Sequence, residues 1–185
     1  MGLPRGGVPV AAEVARSLEA PLDVFVVRKL GVPGREELAM GAMASGDVHV
    51  RNEEVLAHLR ISEDEFSAIA AAETEELRRR ELAYRAGRPA LEVAGRNVIL
   101  VDDGLATGST MRAAVAALRR RAPEEVIVAV PTAPQEKLVT LRSEADAVLA
   151  ARTPDPFMAV SESYVDFSQT SDDEVRRLLM DPGPG

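Results

Sequence analysis

The sequence contains no cysteine, so disulfide bonds, thiolate catalysis and structural zinc sites are excluded. It also lacks an apolar run long enough to cross a bilayer. Its first residues do not pair a basic region with an apolar stretch, so no signal peptide is predicted. Together these absences favour a protein of the reducing cytoplasm, and they give no reason to expect a membrane partner.

Acidic residues outnumber basic ones, 30 to 22. The formal net charge is −8 and the isoelectric point is about 4.9. A chain of this balance lacks the broad basic face that nucleic-acid phosphates require, so no nucleic-acid partner is expected. A local basic pocket for a small anion stays compatible with this charge. The two histidines, His49 and His58, form no dense ligand cluster, which favours surface or structural roles for both.

The chain has 185 residues, of which 46% are hydrophobic and 28% are charged. This composition is typical of a globular protein. We expect one domain over residues 1–180 and a disordered tail at 181–185. The apolar pattern predicts alternating strands and helices, with a mobile loop at 31–46. The predicted strands cover 23–28, 97–101, 126–130 and 147–150, and the predicted helices cover 9–18, 52–59, 62–86, 110–121, 135–142 and 171–180.

Alternating strands and helices predict an α/β fold, with a doubly wound parallel sheet covered on both faces. Continuous apolar runs such as Asn97–Val101 are typical of strands buried in such a sheet. Ligands of these folds bind beyond the carboxyl ends of the strands. Candidate functional residues are therefore expected in the turns from strand to helix.

One such turn carries the strongest motif in the chain, Val98–Thr110. Two adjacent carboxylates, Asp102 and Asp103, end the strand, where they could accept hydrogen bonds from ribose hydroxyls. The small residues that follow would let backbone amides surround a phosphate at the start of a helix. The alternative is a glycine-rich turn whose acids only cap a helix. The predicted ribose-phosphate residues are Asp102, Asp103, Gly104, Leu105, Ala106, Thr107, Gly108, Ser109 and Thr110.

This motif resembles the phosphoribosyl pyrophosphate motif of type I phosphoribosyltransferases. The likeness runs from Gly2 to about Leu179 and is closest to a bacterial branch of stand-alone phosphoribosyltransferase-domain proteins of undefined substrate. It implies the strand order 2-1-3-4-5. The other segments that carry it are 3–10, 27–31, 37–42, 156–157 and 164–167.

The resemblance implies that Gly2–Gly7 is a loop that binds pyrophosphate, and that Arg28 and Lys29 form a basic pair for the same group. It also implies that Gly31–Gly46 is a flexible lid. From the residues alone, an ordinary turn, a surface charge pair and a solvated linker remain open. The predicted pyrophosphate residues are Pro4, Arg5, Gly6, Gly7, Arg28 and Lys29.

Aromatic residues are few, four Phe and two Tyr. Half of them, Phe157, Tyr164 and Phe167, lie close together after the last predicted strand. The resemblance implies a small hood over residues 151–170 that covers the acceptor, and a flat base could stack on these rings. A local apolar core that holds the hood in place is the alternative.

The implied reaction is transfer of a phosphoribosyl group from phosphoribosyl pyrophosphate to a nitrogenous acceptor, a nucleobase, with Mg²⁺ and release of pyrophosphate. It is a reaction of nucleotide metabolism. The implied catalytic residues are Asp103, Arg28 and Lys29, and no side chain is assigned as a direct metal ligand. Two alternatives stay open, a non-catalytic regulatory module that binds phosphoribosyl pyrophosphate or a nucleotide, and a truncated inactive relic. The fold analogy also suggests a homodimer, to which the helix at 62–86 could contribute.

The sequence departs from the family pattern at its start, because the strand expected before the loop Gly2–Gly7 is missing. In the order 2-1-3-4-5 that first strand is central. Its loss predicts two unpaired strand edges and a loop with no support at its base. Our hypothesis is a translation start assigned too late, with a decayed copy or a differently closed sheet as the alternatives.

Overall fold

A computed structural model of the chain describes residues 1–46 and 48–180. The predicted disordered tail, residues 181–185, lies outside this part of the chain. None of the described helices is long and apolar enough to cross a bilayer. In chain order the elements are α1 (Gly7–Ser17), β1 (Val27–Val32), β2 (Arg35–Ala44), β3 (Val48–Arg51), α2 (Glu53–Leu59), α3 (Glu63–Arg85), β4 (Asn97–Val101), α4 (Ser109–Arg119), β5 (Glu125–Thr132), α5 (Gln135–Leu141), β6 (Ala147–Arg152), a short 3₁₀ helix (Val160–Ser163) and α6 (Asp172–Met180).

The parallel sheet of the predicted α/β fold is present and has the order β4-β5-β6. Both neighbouring pairs are parallel, and Val98 and Leu100 of β4 are buried. The helices between these strands lie where the apolar periodicity predicts them. Their ends differ from the predicted ends by at most two residues. Ser62 and Glu65 form a capping box at the start of α3.

Residues 1–3 occupy the position of the first strand. Gly2 forms parallel bridges to Val24 on one side and to Val101 on the other. The Leu3 amide donates to the Val101 carbonyl at 2.8 Å, and the Gly2 amide donates to the Asp23 carbonyl at 2.9 Å. The spatial order is therefore the 23–25 segment, residues 1–3, β4, β5 and β6. The expectation that the loop Gly2–Gly7 has no support at its base is wrong, because its first residues are hydrogen-bonded on both sides.

The predicted strand 23–28 divides between two sheets. Val24 pairs with Gly2 beside the parallel sheet, whereas β1 begins at Val27 and pairs with β2 in an antiparallel sheet. Asp23 and Arg85 fix the boundary, since the Arg85 Nε donates to the Asp23 carboxylate at 2.9 Å and both side chains are buried. This ion pair attaches the end of α3 to the segment that leads into β1.

The predicted mobile loop at 31–46 is wrong, because most of it forms the hairpin of β1 and β2. Its glycines serve strand geometry. Gly34 adopts a φ of +73° in the turn, and a Cβ on Gly41 would lie 2.6 Å from the Val50 carbonyl oxygen of β3. Met40 and Met43 of β2 are fully buried in a hydrophobic cluster with α3 and α6. This segment is therefore part of the core.

Candidate functional site

The turn that follows β4, residues 102–110, has the geometry of an anion-binding loop. Gly108 has a φ of +75° and precedes the first residue of α4, so the loop ends at a helix N-terminus. The hydroxyls of Thr107 and Ser109 lie 3.0 Å apart beside it. The sequence predicts this ribose-phosphate turn correctly in position, although its role in binding remains a prediction.

The two acids at the start of the turn, Asp102 and Asp103, form what we call the acid pair. Burial, together with the charge of Asp103, raises the pKa of Asp102 to about 7. Burial also raises the pKa of Asp103. The Asp103 amide donates to Asp102 Oδ1 at 2.9 Å, and this hydrogen bond partly offsets the rise in the pKa of Asp102. The fold thus holds two carboxylates together where neither is easily ionised, and such unfavourable arrangements are common at functional sites.

The loop Gly2–Gly7 lies directly against the acid pair. A Cβ on Gly6 would lie 1.9 Å from Asp103 Oδ2, and a Cβ on Gly7 would lie 2.8 Å from the Asp102 Cα. Only glycine allows this approach. Two segments that are about one hundred positions apart in the sequence therefore form one surface. Pro4 and Arg5 lie in the same loop, and the Arg5 guanidinium lies 3.8 Å from the Asp172 carboxylate.

The basic pair Arg28 and Lys29 is not brought together. Successive side chains of a strand point to opposite faces, and β1 follows this rule. Arg28 forms ion pairs with Glu73 and Glu76 of α3. Lys29 is exposed and lines a groove of about 590 Å³ that also contains Ser109 of α4. Of the two, Lys29 is the one on the side of the ribose-phosphate turn.

The hood, residues 151–170, sits on the ribose-phosphate turn through specific contacts. The Tyr164 hydroxyl donates to the Asp103 carbonyl oxygen at 2.5 Å, and the Ser163 hydroxyl donates to Thr132 Oγ1 at 2.8 Å. Burial and the nearby acid pair raise the pKa of Tyr164 to about 12, so it remains a hydroxyl donor. Sequence reasoning missed Thr132, which is fully buried at the end of β5.

The Tyr164 contact predicts a measurable loss on its removal. Tyr164→Phe deletes one hydrogen bond to a backbone carbonyl and keeps the ring, which packs 5.1 Å from Phe167. We expect the free energy of unfolding to fall by about 1 kcal/mol. Urea denaturation would measure this fall. An unchanged stability would show that the contact is absent in solution.

Gly104 provides a second test of how the hood is seated. A Cβ at this position would lie 2.6 Å from Val160 Cγ1. Gly104→Ala should therefore push the hood away, at a cost of about 1–3 kcal/mol. Adding Val160→Ala should restore part of that loss, and denaturation of the single and double variants would measure the coupling. If the two effects simply add, the hood does not contact Gly104.

A cavity of about 250 Å³ lies between the ribose-phosphate turn and the hood. It contains the acid pair, and Phe167 and Val160 line its hood side. Phe167 is 46% exposed, so its ring is available to a ligand. Of the three predicted acceptor residues, Phe167 lines the cavity, Tyr164 supports the turn beneath it, and Phe157 is not among the residues that line it.

Comparison with known proteins identifies the family to which the chain belongs. Residues 1–150 match the model of the phosphoribosyl transferase domain family, which is most of the chain. The chain belongs to this family, within the type I phosphoribosyltransferases. The match contains the loop Gly2–Gly7 and the ribose-phosphate turn, the two segments that the fold brings together.

Individual relatives agree with this placement. Over 179 residues the chain is 46% identical to two Mycobacterium tuberculosis proteins that carry the provisional name of phosphoribosyl transferase. The match covers 97% of this chain but about 40% of each relative, so the chain spans less than half of their length. The crystal structure of TT1426 from Thermus thermophilus is similar over 99% of this chain and 86% of that chain, with 41% identity and a TM-score of 0.87.

Proposed function

We propose that the protein transfers a phosphoribosyl group from phosphoribosyl pyrophosphate to a nitrogenous acceptor, a nucleobase, and so acts in nucleotide metabolism. The observation that carries this proposal is the contact between Gly6, Gly7 and the acid pair. It joins a glycine loop, two carboxylates and a helix N-terminus in one site. These are the groups that a pyrophosphate, a ribose and a phosphate need.

The ribose-phosphate turn would bind the sugar and its phosphate. Asp102 and Asp103 would accept hydrogen bonds from the ribose hydroxyls. The backbone amides of residues 106–108 and the N-terminus of α4 would surround the phosphate, with donors from Thr107, Ser109 and Thr110. The role of Leu105 is structural, since its buried side chain anchors the turn and its amide donates to the Thr132 carbonyl at 3.0 Å.

The pyrophosphate would lie along the loop Gly2–Gly7, where Pro4–Gly7 offer backbone amides. The Arg5 guanidinium would add positive charge once it turns from Asp172, beside which it lies. Lys29 would add positive charge from the β1 side. Arg28 would reach the leaving group only by leaving Glu73, to which it is bound. Of the predicted basic pair, Lys29 is therefore the stronger candidate for direct contact.

The acid pair also fits a magnesium ion. Its carboxylate oxygens are the ligands that Mg²⁺ prefers, and a cation would relieve the repulsion that helps to raise the pKa of Asp102. No cluster of three ligating side chains occurs in the described part of the chain. Substrate oxygens and water would therefore complete the coordination. When bound, the ion supplies positive charge that stabilises the departing pyrophosphate.

In the transfer itself, the bond from the anomeric carbon to the pyrophosphate oxygen breaks, and both electrons leave with pyrophosphate. A bond from the same carbon to an acceptor nitrogen forms, and the acceptor gives up one proton. Asp103 would receive this proton or stabilise the positive charge near the sugar. Burial raises the pKa of Asp103 above the ordinary value of an aspartate, which makes it a stronger base. The ring of Phe167 would hold the acceptor by stacking.

Release of pyrophosphate on addition of nucleobases would test the proposal directly. The protein would be incubated with phosphoribosyl pyrophosphate, Mg²⁺ and a panel of purine and pyrimidine bases. We expect release with at least one base, and a loss of at least about tenfold in Asp103→Asn, equal to 1.4 kcal/mol of transition-state stabilisation. Tight binding without release by any base would contradict transfer and support a regulatory module.

A further inference from the structure

A basic cavity, distinct from the cavity at the acid pair, lies between the loop Gly2–Gly7 and α3. Its volume is about 310 Å³. None of residues 102–110 lines it. Its polar groups come from three separate parts of the chain, namely the loop, α3 and the start of α6. They are Arg5, Arg79, Arg80, Tyr84 and Asp172.

The charges of this cavity are unequal, with three guanidinium groups and one carboxylate. Glu76 of α3 binds two of these arginines. It accepts hydrogen bonds from Arg79 Nε at 2.7 Å and from Arg80 Nε at 2.8 Å, and these bonds lower the pKa of Glu76 to about 2. Because Glu76 is itself outside the lining, it orients the two guanidinium groups without occupying the space between them.

Asp172 is the one acid that lines the cavity. Its carboxylate accepts a hydrogen bond from the Tyr84 hydroxyl at 3.1 Å and lies 3.8 Å from the Arg5 guanidinium. The carboxylate thus already makes, with one arginine and one hydroxyl, the contacts that an oxyanion would make. Arg79 and Arg80 add two more guanidinium groups to the same cavity, so its positive groups outnumber its one carboxylate.

We propose that this cavity is a second anion site that binds a free phosphoanion, such as inorganic phosphate. Arginine forks and a hydroxyl donor are the groups that recognise phosphate oxygens. The site is separate from the ribose-phosphate turn because the residues that line it and those that line the cavity at the acid pair do not overlap. Since Arg5 belongs to the loop Gly2–Gly7, an anion bound here would act on the pyrophosphate side of the proposed active site.

Calorimetric titration with inorganic phosphate would test this site once the ribose-phosphate turn is blocked. Thr107→Glu places a carboxylate in that turn and should repel phosphate there. In this background we expect phosphate to bind still. Arg79→Gln together with Arg80→Gln should weaken binding by at least about tenfold, and Asp172→Asn should tighten it by about fivefold, because the competing charge is removed.

The matched control removes two exposed arginines elsewhere, Arg88→Gln and Arg120→Gln, and so causes the same change in net charge. It should leave the affinity within about twofold. Loss of phosphate binding in Thr107→Glu alone would overturn the proposal. So would an equal effect of the control pair. A third contradiction would be weaker binding of phosphoribosyl pyrophosphate in the Arg79/Arg80 variant without any loss of phosphate binding, because the cavity would then serve the substrate.

Discussion

Asp102→Asn should make the folded protein more stable at neutral and alkaline pH. The raised pKa of Asp102, about 7, means that the folded chain releases this proton later than the unfolded chain does. The protonated carboxyl therefore contributes stability that is fully present below the unfolded pKa, near 4, and is lost as the pH rises through 7. The loss is on the order of 4 kcal/mol once the group is ionised.

Asparagine keeps the shape and the acceptor that Asp102 offers to the Asp103 amide, and it carries no charge. Urea unfolding of parent and variant at about pH 4 and about pH 9 would measure the difference. The two proteins should be similar at the lower pH, and the variant should be the more stable one at the higher pH. A variant that gains no stability over the parent at the higher pH would show that Asp102 is not held as an unfavourable charge.

The second large effect concerns the contact between the loop Gly2–Gly7 and the start of the ribose-phosphate turn. A Cβ on Gly7 would lie 2.6 Å from the Val101 carbonyl oxygen. The backbone at the end of β4 cannot move away without a large cost in free energy. Gly7→Ala should therefore lower the free energy of unfolding by about 3 kcal/mol and disrupt ligand binding with it. Urea denaturation measures the first effect, and calorimetry with phosphoribosyl pyrophosphate and Mg²⁺ measures the second.

Gly6→Ala is the informative partner of that variant. Its Cβ would meet the tip of the Asp103 side chain, which can rotate away. Stability should change little, whereas affinity for phosphoribosyl pyrophosphate should fall at least about tenfold, which is 1.4 kcal/mol, because the carboxylate is displaced. In an Asp103→Ala background the same change should cost much less. A full effect in both backgrounds would mean that Gly6 and Asp103 do not touch.

The ribose-phosphate turn was the part of the site that local sequence could predict. A buried apolar strand, two acids, small residues and a helix start follow one another without interruption at 97–110. Each of these signals acts within a few residues, and none depends on distant packing. The contact of Gly6 and Gly7 with the acid pair is of another kind, because it depends on where β4 and residues 1–3 meet in space.

The hairpin of β1 and β2 shows where local reasoning fails. Glycines at 31, 34, 41 and 46 favour a loop when each is taken as a flexible residue. Only the β3 backbone beside Gly41 explains why a strand needs glycine there. Pro33 and Gly34 were a hairpin signal in the sequence, between the apolar runs of β1 and β2.

One further error, and one prediction that is still open, have physical reasons. Residues 1–3 pair with both neighbours, so a strand can be reduced to a bridge and still support the loop that follows it. Arg28 and Lys29 are adjacent, and a period of two places adjacent strand residues on opposite faces. The predicted strand ends at Arg28, whereas β1 runs on through Lys29, so their joint contact with one ligand stays a prediction.

The central claim is that residues 102–110 bind the phosphoribosyl group. Thermal melting with and without phosphoribosyl pyrophosphate and Mg²⁺, in the parent and in Asp102→Asn/Asp103→Asn, tests it most directly. At a ligand concentration one hundred times the Kd, we expect the parent to gain about 2.7 kcal/mol of stability, and the double variant to gain almost none. A folded parent that shows no shift, or a double variant that shifts as much as the parent, would contradict the claim.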